Sequence, residues 1–112
     1  MPEGREAAER EDMLMAVKYG LLVLLEAQKG KEAELAAFLE QGREMAVAEP
    51  GTVTWYAFRT DESRFGIFDT FESEDGRRAH LSGPIASALA DVTETLLAHP
   101  PRIQQVDVLA VK

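Results

Sequence analysis

The chain has no cysteine, which excludes disulfides, thiolate catalysis and cysteine-ligated metal clusters. Its two histidines, His80 and His99, lie too far apart in sequence to form a helical ligand pair, so no metal site is expected. Long apolar runs are missing as well: stretches such as Leu21–Leu25 fall far short of a bilayer span. The amino-terminal MPEGREAAEREDM carries no cationic, apolar signal region. Basic residues are in deficit, 12 against 20 acidic ones, and the formal charge of −8 repels phosphate backbones and anionic lipid surfaces. Nucleic acid and membranes are therefore not expected as partners. No Gly-x-Gly-x-x-Gly follows a strand pattern, and no serine sits in a nucleophile-elbow context. The expectation is a soluble, cytoplasmic protein that works without a cofactor.

What is present suggests one domain behind a charged extension. Residues 1–18 are dense in charge and lack an apolar stripe, as in a solvated or frayed helix or a disordered tail, and Met13 or Met15 could serve as the start. Residues 19–112 read as a single domain. YGLLVLLEAQ is apolar at both parities, like a strand covered on both sides. A helix follows, with Leu35, Phe38, Leu39, Gly42, Met45 and Ala46 along one stripe, and Glu49-Pro50-Gly51 ends it. Thr52 to Arg59 and Arg64 to Phe71 form a hairpin about TDES. Ser73 caps a short helix over 74–81, Ser82-Gly83-Pro84 opens another with Ile85, Leu89, Val92 and Leu96 on one face, and RIQQVDVLAVK closes the chain as a strand.

This order predicts an α+β, ferredoxin-like sandwich: a four-stranded antiparallel sheet with helices on one face. The segment Glu49–Ser73 holds the only tryptophan, one of two tyrosines and four of five phenylalanines, at both strand parities. Helices can cover one parity only, so the other needs a partner, and a homodimer through sheet faces is expected. Which parity faces which side is not set by the residues, because a one-residue change in the TDES loop would exchange the faces.

The stretch EPGTVTWYAFRTDESRFGIFDTFESEDGRRAHLSGPIASAL resembles the antibiotic biosynthesis monooxygenase (ABM) domain family, and the likeness extends over roughly residues 19–112. The matching features are a helix-ending Glu-Pro-Gly, an aromatic hairpin, an acidic strand residue, an aromatic-Glu-Ser and an Ala-His-Leu on the next helix. The resemblance implies a dimeric α+β barrel of two face-to-face sheets. It also implies cofactor-independent oxygenation of a small quinol or polycyclic phenol by molecular oxygen. The alternatives it leaves open are a non-catalytic dimer that binds small ligands and an isomerase using the same pocket. Haem degradation is disfavoured, because Val23, His80 and Ala90 stand where that branch of the family needs Asn, Trp and His.

His80 and Asp69 are the candidate catalytic pair: His80 would take a phenolic proton while Asp69 orients it, with Trp55, Tyr56, Phe68 and Phe71 as candidate substrate-binding walls. Asp69 lies in an otherwise apolar strand and needs a partner, water or a raised pKa. The resemblance places His80 near a cavity mouth. In the competing reading Asp69 pairs with Arg77 or Arg78, His80 packs at a helix end, and the aromatic residues are core and interface. His99, before Pro100, is expected to complement a helix dipole.

Overall fold

The computed structural model describes residues 2–112, and the side chains of residues 6–12 and 14–112. Its elements are α1 (Pro2–Met15), β1 (Tyr19–Glu26), α2 (Glu32–Val47), β2 (Thr52–Arg59), β3 (Arg64–Phe71), α3 (Glu74–Leu81), α4 (Pro84–Leu96) and β4 (Arg102–Asp107). The charged extension is thus helical from residue 2, with residues 6–12 exposed; residue 1 and the side chains of 2–5 and 13 lie outside the described part. No helix among the described residues is long and apolar enough to cross a membrane.

The four strands form one antiparallel sheet in the order β2-β3-β1-β4. This is the ferredoxin-like α+β arrangement. Two helix starts follow directly from local chemistry. Ser73 accepts a hydrogen bond from the Gly76 amide and caps α3, while Pro84 opens α4, where its missing N–H leaves no bond unmade. On α2 the buried stripe is Leu35, Leu39, Gly42 and Ala46, and Met45 turns partly outward. β4 stops at Asp107 rather than at the carboxyl end, because Asp107 pairs with Tyr19, the first residue of β1, and no strand remains beyond it.

Register separates the two faces, since directly opposed residues point the same way. Leu21 opposes Asp69, Val23 opposes Ile67 and Leu25 opposes Phe65; all six are buried beneath the helices, joined by Leu35, Leu39 and Leu89. The opposite face presents Leu22, Leu24, Tyr56, Phe58, Phe68 and Val106. Leu24 and Tyr56 there are 39% and 59% exposed, a high value for apolar surface on a sheet. The far end of the Phe58 ring lies over Gly66: a Cβ built at Gly66 would collide with it, meeting Cε2 at 2.7 Å.

β2 does not keep one parity throughout. A bulge at Val53 aligns Thr52 with Phe71 but Thr54 with Thr70. Thr52 therefore faces the helices, while Thr54 faces the open side, where its hydroxyl meets that of Thr70 at 2.6 Å.

Candidate active site

β3 and α3 bring His80 and Asp69 together. Asp69 is completely buried and His80 nearly so, and His80 Nε2 stands 2.7 Å from Asp69 Oδ2. The separation is that of an ion pair, but the direction is off the line of a ring N–H, so neither Asp69 oxygen accepts an aligned hydrogen bond. The other ring nitrogen, Nδ1, lies 2.6 Å from Glu49 Oε1, which also accepts a 2.9 Å hydrogen bond from the Thr52 hydroxyl. The imidazole is therefore held between two carboxylates, one at each nitrogen. Because they meet opposite edges of the ring, they do not converge with it on a single ion, and no metal-ligand cluster occurs among the described residues.

Glu49 is a site residue that sequence reasoning missed. It lies between α2 and β2, and two glycines allow it to reach α3. A Cβ at Gly51 would come within 3.1 Å of Gly76 Cα, and one at Gly76 within 3.1 Å of the Gly51 carbonyl oxygen, so the turn and the helix can touch only where both side chains are absent. The bulge at Val53 then turns Thr52 toward Glu49. A usable signal was present: a carboxylate just past a helix carboxyl end faces the negative pole of the helix, so it calls for a partner elsewhere.

Burial disfavours a charge on His80, but the close carboxylate of Asp69, and then that of Glu49, outweigh it and hold the imidazole above its ordinary pKa of 6.5. A raised folded-state pKa stabilises the fold fully below about pH 6.5 and loses that contribution as pH rises through the raised value. The expected result is that the free energy of unfolding, followed by urea denaturation between about pH 6 and pH 9, falls more steeply for the native chain than for His80→Gln. Identical slopes would remove the ionic account of this histidine.

Of the other candidate residues, Phe71 is fully buried beside His80, ring centroids 5.3 Å apart and tilted by 47°. Trp55 shares the helix side with Asp69, its strand partner, and its buried indole N–H has no acceptor. Tyr56 and Phe68 oppose each other on the other face of the sheet, away from His80. Arg77 donates to the carbonyls of Gly20 and Val106, and Arg78 pairs with Asp75, so neither arginine pairs with Asp69. His99 meets Glu26, with Nε2 and Oε2 2.7 Å apart.

His80 opens onto a cavity of about 400 Å³ between α4 and the sheet. Its buried wall is apolar, with Leu21, Val23, Ile67, Ile85 and Leu89, while Ala90, Glu94, Pro100 and Ile103 are exposed at the mouth. Val23, His80 and Ala90, the three positions compared above with the haem-degrading pattern, all stand in this one wall. A smaller pocket lined by Trp55, Phe38 and Met45 shares Ile67, Ile85 and Leu89 with it.

The fold is shared with many solved structures. A "putative antibiotic biosynthesis monooxygenase" from Nitrosomonas europaea superposes with a TM-score of 0.74 at 17% identity over 82% of this chain and 99% of that one. One from Caulobacter crescentus gives 0.72 at 20% identity over 91% and 99%. A protein of unknown function from Nitrosomonas europaea gives 0.85 at 48% identity over 87% of this chain and 94% of that one. The chain belongs to that protein's family, and its fold is the antibiotic biosynthesis monooxygenase fold. No family model and no curated protein sequence matches it. Within this ABM-like fold, the Glu49–His80–Asp69 group and its cavity are the concentration of titratable chemistry beneath the helices.

Proposed function

We propose that the protein is a cofactor-independent monooxygenase of a small quinol or polycyclic phenol, with His80 as the group that takes the phenolic proton. The observation that supports this is a buried histidine of raised proton affinity at the wall of an apolar cavity, with carboxylates to hold the proton it gains. Asp69 and Glu49 act through the imidazole, as positioning residues. Once His80 has taken the proton, the electron-rich phenolate passes one electron to molecular oxygen, and the resulting radical pair combines at a ring carbon as a peroxide. The O–O bond then breaks: one oxygen atom stays as a ring carbonyl, and the other leaves as water with the hydroxyl hydrogen and the hydrogen from that carbon. The test is oxygen consumption by metal-stripped protein with reduced quinols and naphthols, corrected for autoxidation. Turnover should rise with pH through the raised His80 pKa and be lost in His80→Ala; no rate above autoxidation would overturn the reading.

One observation favours a non-catalytic ligand-binding protein instead. Both ring nitrogens already face carboxylates of the chain, which leaves a ligand to compete for them. In that case naphthols bind to the native chain and to His80→Ala alike, and neither turns over.

We further propose that two copies pair through the open sheet faces. The exposed row of Leu24, Tyr56 and their apolar neighbours supports this pairing, which would give each sheet a second covered side. Light scattering at micromolar protein should return a dimer mass, and Tyr56→Asp should return a folded monomer. A native monomer would refute the pairing.

A further inference from the structure

Apart from the His80 imidazole, the charged side chains in and just behind the cavity wall are acidic. No lysine or arginine stands in its wall. At its inner end two carboxylates share a single imidazole. At its mouth stands Glu94, whose carboxylate has no ion-pair partner among the described residues. Hydrogen-bonding capacity is equally one-sided. Behind the imidazole, and not in the cavity wall itself, Glu49 Oε2 and both Asp69 oxygens are buried without an aligned donor, whereas among the described residues the buried side-chain donor lacking an acceptor is the indole N–H of Trp55.

A buried acceptor without a donor is costly, and a desolvated anion without a cation costs more. A ligand that supplies a hydroxyl group can meet the His80 imidazole, which lines the cavity. One that supplies a carboxylate or phosphate must pass Glu94, lose its water and lie near a group of net negative charge, with no lysine or arginine to receive it and the His80 imidazole already held by two carboxylates. The chain's charge of −8 acts in the same direction at longer range.

We propose that the cavity is selective by charge: it takes uncharged ring compounds that carry a hydroxyl group and rejects the same rings once they carry a carboxylate or phosphate, with Glu94 the specificity-determining residue at its mouth. This rests on the reading of the His80 cavity as the substrate site and narrows the substrate class. Compounds whose ring is still carboxylated or phosphorylated would enter only after a decarboxylation or dephosphorylation has removed that group.

The test compares 1-naphthol with 4-hydroxy-1-naphthoic acid, and uses the uncharged 4-hydroxy-1-naphthamide as the control of matching size, each titrated calorimetrically into the full chain at neutral pH without oxygen; an amide bound as weakly as the acid would make bulk, not charge, the cause. 1-Naphthol is expected to bind, and the acid to bind at least about tenfold more weakly. Glu94→Lys should narrow the gap severalfold by strengthening the acid, and Glu94→Gln should do so to a smaller extent. Equal binding of the two ligands by the native chain overturns charge selectivity. An unchanged gap in Glu94→Lys overturns the role of Glu94. Oxygen consumption separates this inference from the reading beneath it: equal binding together with His80-dependent turnover leaves the monooxygenase standing, whereas failure of both ligands to bind removes both proposals.

Discussion

Asp69→Ala is expected to lower the free energy of unfolding by about 3–5 kcal/mol, the usual cost of removing one partner from a buried ion pair. The side chain is completely buried, and its loss leaves the nearly buried His80 with Glu49 as its one remaining carboxylate. His80 then loses the leading influence that raises its pKa, so burial gains ground and the imidazole becomes easier to deprotonate. Urea denaturation measures the first effect, and an NMR titration of His80 the second. Changing both partners, as Asp69→Leu with His80→Leu, should recover much of the loss, because a volume-matched apolar pair carries no desolvated charge. A loss below about 1 kcal/mol in Asp69→Ala would mean that the carboxylate contributes little to holding the site together.

Phe71→Ala should cost a similar amount, about 3–5 kcal/mol, since a fully buried phenyl ring is replaced by a cavity. The sign at His80 is opposite. Burial is the largest influence acting against the imidazolium, and water entering where the ring stood weakens it, so the His80 pKa rises further. Phe71→Leu refills most of the space and should cost under about 1.5 kcal/mol. If Phe71→Ala instead lowered the His80 pKa, the ring would be doing more than excluding water. The two alanine changes share His80 as a neighbour, so their effects should not add.

Much of the fold is legible in the sequence because local chemistry agrees with it. The two hairpin strands, the cap at Ser73 and the helix start at Pro84 stand where β-branched and aromatic residues, a hydroxyl and a fixed φ angle put them. Parity is not legible, since it depends on register. The bulge at Val53 leaves no mark in the residue pattern, yet it decides that Thr52 faces Glu49 while Thr54 faces the open side. For the same reason the residue pattern sets Tyr56 and Phe68 beside Trp55 and Phe71, although the sheet separates them. Asp69 announces itself as a carboxylate within an apolar strand, but its partner is a histidine on α3, a tertiary contact that no spacing encodes. Glu49 was hidden by its neighbours: Pro50 and Gly51 account so well for the end of a helix that the residue before them attracts no second explanation.

The ring of Phe58 laid over Gly66 makes these two positions dependent on each other in space. A methyl group at 66 has no room until the ring swings out, so Gly66→Ala acts through position 58, lifting an aromatic plate and roughening a surface that position 66 itself barely reaches. A smaller residue at 58 removes the obstacle beforehand. A smaller residue at 58 therefore makes a larger one at 66 easier to accept, without the ring having to move.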